Sequence, residues 1–265
     1  MVPNIIHFCF GLKEDFGQKP FSFIHYLAVK SAYECNRPEI INFFYKYKPE
    51  GLWWEKSRGY LNLIEYDPPK EVFGNPLLHY AHRADVLKLE ILLKNGGIFL
   101  DLDVVCLRPF AKLMKYDLVL GKQGRRGLCN AVLLARPGSE FLKKWHETYI
   151  SFRSKGRDEF WDEHSVLVPM ALSRRYPGLV HVEGASSFFW PEGSTIGPLW
   201  GKDTVGIFNK LGRKFKEIIS RAILSRAYCI HLWESLWWDK YLKGLTPQYI
   251  QKGNNNFSRL CRRFL

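Results

Sequence analysis

Through the first 110 residues, short apolar runs of strand length alternate with longer stretches of helical period. Residues 5–10, 40–47 and 61–66 are rich in β-branched and aromatic side chains. They close respectively on Gly11, on Pro49 and Gly51, and on Asp67-Pro68-Pro69, all strand-ending residues. Residues 21–34 have the apolar spacing of a helix. From 75 to 95, Leu77, Leu78, Ala81, Ala84, Leu87, Ile91 and Leu92 approximate a 3.6-residue period, and Gly96-Gly97 stand where a helix end favours positive φ. A strand at 98–102 follows at once. This alternation predicts an α/β fold with a mostly parallel central sheet flanked by helices. Ligands of such sheets sit beyond the carboxyl ends of the strands, so the residues just after Leu100 stand where chemistry is expected.

The second half alternates less clearly. Strands are expected at 117–121, 131–135 and 180–182, helices at 139–152 and 209–227, and a long loop at 186–201, where Gly, Pro and Trp cluster. No repeat and no shift of composition marks a boundary, and 265 residues suit one domain.

Composition narrows the function. A chain that is 46% hydrophobic and 15% aromatic folds, and a disordered chain is poorer in both. Its net charge of +13 favours anionic partners such as phosphorylated small molecules, acidic lipid or nucleic acid. Six cysteines form no C-x-x-C pair, which argues against a zinc cluster and a disulfide framework. No apolar run approaches the ~20 residues of a membrane span, and the first residues lack a basic-then-apolar leader. A cytoplasmic protein is the economical expectation.

Asp101-Leu102-Asp103 carries the central argument. On an extended chain the two acids point to one side and Leu102 to the other. Two adjacent carboxylates repel unless a positive charge lies between them, and a hard divalent cation with phosphate oxygens supplies it. Upstream, His82, Asp85 and Lys88 share a helix face at i, i+3 and i+6, with Arg83 one step aside. The plain reading is an exposed Asp85–Lys88 pair; the functional one is a polar face holding ribose and base beside a metal.

The stretch AHRADVLKLEILLKNGGIFLDLDVV, residues 81–105, resembles the signature of the DXD-containing sugar transferases of glycosyltransferase family 32. That family includes the fungal initiating α-1,6-mannosyltransferase and bacterial capsule and lipopolysaccharide enzymes, and is more distantly similar to the glucosylating domains of clostridial toxins. Pro3-Asn4-Ile5-Ile6-His7-Phe8 is similar to the family's first strand. The resemblance implies a GT-A fold, a nucleotide-sugar donor (UDP-sugar before GDP-sugar), Mn²⁺ or Mg²⁺ on the diphosphate, and retention of configuration. By the same resemblance, residues 1–110 form the nucleotide-binding half and 111–265 the sugar and acceptor half. Asp103 matches the direct metal ligand, Asp101 the acid that holds ribose or a metal-bound water, and Asp85 the ribose acid. Lys88 stands where the family usually has Arg, which keeps the charge and loses the bidentate fork.

Cys229-Ile230-His231-Leu232-Trp233-Glu234-Ser235-Leu236-Trp237 resembles the family's C-terminal element. His231 and Ser235 compete as third metal ligand, with Glu234 an outside candidate, and Trp237 is expected to pack over the donor. Asn130 resembles an amide placed near the donor sugar. Residues 161–166 border the expected acceptor site, with Glu163 and His164 as candidates. The basic helix at 209–227 and the arginines of the tail could rest on anionic lipid, consistent with a glycan or lipid-linked acceptor in surface polysaccharide synthesis at the inner membrane face. A two-metal phosphoryl-transfer enzyme would need a second carboxylate cluster, and none with comparable context is found. A basic nucleic-acid-binding protein would need a recognisable motif, which is also missing; no nucleic-acid partner is expected.

Overall fold

A computed structural model describes residues 1–201 and 213–265, the side chains of 213–217 excepted. In chain order it contains β1 (Ile5–Cys9), α1 (Phe23–Asn36), β2 (Ile40–Tyr45), α2 (Leu52–Arg58), β3 (Asn62–Glu65), a hairpin of β4 (Glu71–Val72) and β5 (Asn75–Pro76), α3 (Tyr80–Asn95), β6 (Gly97–Leu100) and β7 (Val104–Cys106). Then follow β8 (Leu118–Gln123), β9 (Gly127–Ala135), α4 (Glu140–Glu147), α5 (Val168–Arg175), β10 (His181–Glu183) and β11 (Cys229–His231). Short helices at Pro247–Lys252 and Asn256–Cys261 end the chain.

Seven strands make one sheet in the order β10-β8-β9-β6-β1-β2-β3. β9 runs antiparallel to β6 and β8, and the other pairings are parallel. The sheet is therefore mostly parallel and flanked by helices, as the GT-A-like α/β expectation requires, and it takes strands from both sides of residue 110. The order reverses at β1: the chain runs outward to β2 and β3, then returns to β6 on β1's other side. A reversal of this kind opens a crevice at the carboxyl ends of the two strands, here just past Cys9 and Leu100.

Side chains of β6 alternate between the faces. Ile98 and Leu100 join Phe8, Ile24 and Leu27 under α1, and Phe99 joins Val86, Leu87 and Leu92 of α3 with Phe141 and Trp145 of α4. Both faces of the central strands are covered, which is why β6 and β9 read as continuous apolar runs. Each large side chain so buried contributes about 1.5–3 kcal/mol.

The α3–β6 junction is pinned where it matters for the acids. Gly96 and Gly97 have φ of +64° and +107°, and a Cβ on Gly97 would lie 2.6 Å from the Ile5 carbonyl oxygen. Buried His7 donates from Nε2 to the Gly96 carbonyl at 2.8 Å and receives Asn42 on Nδ1 at 3.3 Å. Burial holds the His7 imidazole below its ordinary pKa, which keeps it neutral for this pairing.

Several expected elements differ. The helix expected from 75 starts at Tyr80, because Asn75–Pro76 pairs with Glu71–Val72 and the His79 ring caps the helix by accepting the Ala81 N–H at 3.1 Å. The helix expected over 139–152 is α4 followed by a tighter turn at Thr148–Ser151. The 186–201 segment is no open loop: it holds helical turns at Ala185–Phe188 and Gly197–Trp200 whose Phe188, Leu199 and Trp200 enter the core. The basic helix is observed over Arg213–Leu224; its expected beginning at 209–212, with Lys210, lies outside the described residues. Among the described residues no helix is long and apolar enough to cross a membrane.

Candidate active site

Asp101 and Asp103 flank a turn and do not lie on an extended strand. β6 ends at Leu100, the Val104 N–H reaches back to the Asp101 carbonyl at 3.0 Å, and β7 begins at Val104. Pairing stops here because β7 leaves the main sheet to pair antiparallel with β11. The acids still converge, held by the turn, since the Asp101 N–H is also fixed on the Ala131 carbonyl at 2.9 Å.

β11 brings His231 to them. His231 sits opposite Val104 in the ladder, and the Leu232 N–H bonds the Asp103 carbonyl at 2.9 Å. Nε2 of His231 lies 3.1 Å from Oδ2 of Asp103, which also accepts the Glu234 N–H at 2.7 Å. The chain turns sharply between them at Trp233, a non-glycine residue at φ +54°, whose indole N–H is tied to the Pro191 carbonyl at 3.1 Å.

From the other side, α3 delivers Lys88 and Asp85. The buried Lys88 ammonium is 2.6 Å from Oδ1 of Asp101 and 3.8 Å from Oδ1 of Asp85. Asn130 of β9 donates to that same Asp85 oxygen at 2.7 Å. The i, i+3 spacing of Asp85 and Lys88 thus makes an inward ion pair, not an exposed one.

Electrostatics separate the two acids. Burial pushes the Asp101 carboxyl up, Lys88 offsets this only in part, and the Asp103 charge adds to the rise. Burial acts likewise on Asp103, but the His231 charge and hydrogen bond with the Glu234 amide prevail and hold it below the usual carboxylate range. His231 is raised: its burial is outweighed by the Asp103 charge and hydrogen bond. For Lys88, burial is outweighed by Asp101 and Asp85, and its ammonium stays charged.

These residues suit a hard divalent ion. One ligand atom from each of Asp101, Asp103 and His231 lies within 4.8 Å of the others, close to the ~4.2 Å that opposite ligands of one Mg²⁺ span. Among the described residues, one oxygen of each acid accepts no protein hydrogen bond and Nδ1 of His231 is buried without a partner. Ser235 lines the same cleft and is exposed.

The cleft, about 440 Å³, runs from the loop after β1 (Phe10, Gly11, Phe16, Lys19), past the acids and Lys88, to Asn130, Gln123, Trp161, Asp162 and Ser165. The spacing of sequence motifs did not reveal the β1 loop or His25. A signal for the loop exists in Gly11, at φ +65°, where a Cβ would lie 2.1 Å from the Tyr47 carbonyl oxygen. A signal for His25 exists in Ser22, three residues before it: the Ser22 N–H donates to Nδ1 at 2.9 Å, so Nε2 carries the proton and donates to Glu234 at 3.0 Å.

Five expected residues lie elsewhere. His82 turns away from the acids, bonding the Trp161 carbonyl at 3.1 Å among His79, Phe152 and Trp161. Arg83 donates to the Leu77 carbonyl at 2.8 Å. Trp237 donates to the Gly193 carbonyl at 2.6 Å and packs on Tyr241, leaving Trp233 as the tryptophan of that segment that lines the cleft. Glu163 pairs with Arg153 at 2.6 Å, and His164 is buried on the Thr148 carbonyl at 3.0 Å. The cause for these last two is a wide π-helical turn at Glu163–Leu167, which sends Glu163 toward Arg153 and packs His164 against Tyr149 and Phe152, while Ser165 and Val166 with Trp161 and Asp162 line the cleft.

Residues 28–120 match the family described as "Glycosyltransferase sugar-binding region containing DXD motif". Along its whole length the chain is 34% identical, over 279 aligned residues, to glucan organizing enzyme 1 of Cryptococcus neoformans var. grubii serotype A, of which it covers 71%. A 60-residue stretch, 23% of the chain, is 42% identical to 17% of inositol phosphoceramide mannosyltransferase 3 of Schizosaccharomyces pombe. Among solved structures, the apo-form glycosyltransferase GlyE of Streptococcus pneumoniae is similar over 99% of this chain and 60% of that one, at 14% identity and a TM-score of 0.48.

Proposed function

The chain belongs to the DXD-containing glycosyltransferases of family 32, and from that premise we propose that it moves a hexose from a UDP-sugar to a glycan or lipid-linked acceptor, with metal dependence and retention of configuration. The observation that carries the reading is the convergence of Asp101, Asp103 and His231 at the β1/β6 crevice. In this proposal these three residues hold Mn²⁺ or Mg²⁺, which when bound neutralises charge growing on the departing nucleoside diphosphate.

The chain's own residues do the rest. Lys88 holds the Asp101 carboxylate in place at 2.6 Å and offsets part of the cost of its burial. Asp85, oriented by Asn130, accepts hydroxyl hydrogen bonds from ribose or the donor sugar. Trp233 covers the site and excludes water that would compete as acceptor. In a retaining transfer the acceptor oxygen bonds the anomeric carbon on the face from which the phosphate oxygen leaves, and the acceptor's proton passes to that phosphate oxygen. The +13 charge favours an acceptor presented at an anionic membrane surface, in the synthesis of cell-surface glycan.

The phosphoryl-transfer alternative needs a second ion site, and among the described residues one three-ligand group is present. The test is to incubate the protein with UDP- and GDP-hexoses and simple glycoside acceptors, with Mn²⁺ or with EDTA. Release of UDP and a new glycoside in Mn²⁺ alone supports the proposal. Turnover of none of these sugars, or turnover undiminished by EDTA, overturns it.

A further inference from the structure

The donor reading leaves one end of the cleft without a task. A nucleotide at the β1/β6 crevice, with its phosphates at the acids, occupies the half bounded by the loop after β1. The other half lies toward β9 and β8 and is walled by Trp161, Asp162, Gln123 and Ser165. Resting on the donor reading of the same cleft, we infer that Trp161 and Asp162 form the subsite for the acceptor's terminal hexose.

Trp161 is built as a fixed platform. Its half-buried indole is wedged edge-on against His79 at 4.8 Å between ring centres and tilted against His82 at 4.8 Å. Its carbonyl oxygen is held by His82 Nε2 at 3.1 Å. Restraint of both ring and backbone removes the entropy that a free surface tryptophan would lose on binding. The apolar face of a pyranose, with its row of axial C–H groups, matches an indole held in this way.

Asp162 supplies the polar half. Its side chain is only 16% exposed, and Arg126 grips both oxygens, with Nη2 donating to Oδ1 at 2.8 Å and Nε donating to Oδ2. A carboxylate has about four lone-pair sites, so the clamp leaves acceptor positions for adjacent sugar hydroxyls while holding the acid immobile. Arg126 is also set by the tight β8–β9 turn, where its N–H bonds the Gln123 carbonyl at 3.1 Å. The π-helical turn that begins one residue later buries His164 and Val166 and leaves Leu167 exposed; insertions of this kind recur at functional sites. An aromatic ring beside an anchored carboxylate offers stacking and hydroxyl-accepting positions to a hexose ring, with the Arg157 guanidinium 5.7 Å from the centre of the same indole ring.

The experiment measures binding of the methyl glycosides of glucose, galactose and mannose by saturation-transfer NMR, in Mn²⁺ and saturating UDP. Wild type, Trp161→Ala, Trp161→Phe and Asp162→Asn are compared, with UDP affinity measured for each by calorimetry. We expect at least one glycoside to bind wild type and to bind Trp161→Ala about tenfold more weakly, within the range for loss of an aromatic stacking platform. Trp161→Phe, which keeps a ring against His79 and His82, should recover most of that loss, and Asp162→Asn should weaken binding severalfold, with UDP affinity unchanged throughout. Equal glycoside binding by wild type and Trp161→Ala overturns the subsite, as does a wild type that binds UDP and none of the three. A wild type that binds no UDP overturns the donor reading first, and the subsite with it.

Discussion

Replacing Lys88 by Met removes the buried cation between Asp85 and Asp101 while keeping most of its apolar stem. Lys88 is 3% exposed, and its ammonium contacts Asp101 at 2.6 Å. Removing one partner of a buried ion pair costs ~3–5 kcal/mol, because a charge is left behind. The Asp101 side chain keeps 32% exposure, so water re-solvates part of the orphaned carboxylate, and we expect a loss of about 2–4 kcal/mol at pH 8. For a chain of this size that is a fall of roughly 4–7 °C in Tm. The loss has a signature in pH. Burial already holds Asp101 above its ordinary value against the pull of Lys88, and losing Lys88 raises it further. A carboxyl whose folded value exceeds its unfolded one binds protons more readily when folded. Its contribution to stability therefore falls as pH rises from ~3.9 through the raised folded value. The deficit of Lys88→Met should be small at pH 5 and full at pH 8. Urea melts of both proteins at the two pH values, in EDTA, give the difference directly. A deficit below about 0.5 kcal/mol, or one equal at both pH values, would refute the reasoning.

Asp85→Asn should weaken UDP-sugar binding by about 1–3 kcal/mol, the loss of a charged hydrogen bond; calorimetry on the two proteins checks it, and equal affinity would reduce Asp85 to a partner of Lys88 and Asn130. His231→Ala should raise the Mn²⁺ concentration for half activity, since its ring lies 3.1 Å from Asp103, whereas Ser235→Ala, at an exposed position, should not; the opposite pattern in a metal titration would exchange their roles. Glu163→Ala should leave transfer unchanged in a rate assay, because its carboxylate is spent on Arg153 outside the cleft.

What sequence reasoning reached was local. The strands β1 to β3, the body of α3 and the glycine pair after it follow from period and from φ, and the two acids follow from their place at the end of a buried strand. Asp85, Lys88 and Asn130 are each legible singly in the sequence, but their joining through one Asp85 oxygen depends on how α3 lies across β9, which no local pattern encodes. The β7–β11 pairing that delivers His231 spans more than a hundred residues and rests on two three-residue strands. Their apolar character alone does not choose a partner. Trp237 and His164 look like binding residues in sequence because an indole and an imidazole are amphipathic; in the fold their polar atoms are used on the Gly193 and Thr148 carbonyls. Glu163 and His164 miss the cleft although their neighbours on both sides line it, because they open a π-helical turn whose wider path the sequence does not announce.

The central claim is that Asp101, Asp103 and His231 hold the ion through which the protein engages a nucleotide. Electron paramagnetic resonance of free Mn²⁺ during titration with the protein, with and without UDP, measures this most directly. We predict about one bound Mn²⁺ per chain, tightened by UDP, with both the binding and its tightening lost in Asp103→Asn while the variant's melting curve stays cooperative. Wild type that leaves Mn²⁺ free in the presence of UDP, or Asp103→Asn that binds it as wild type does, would contradict the account.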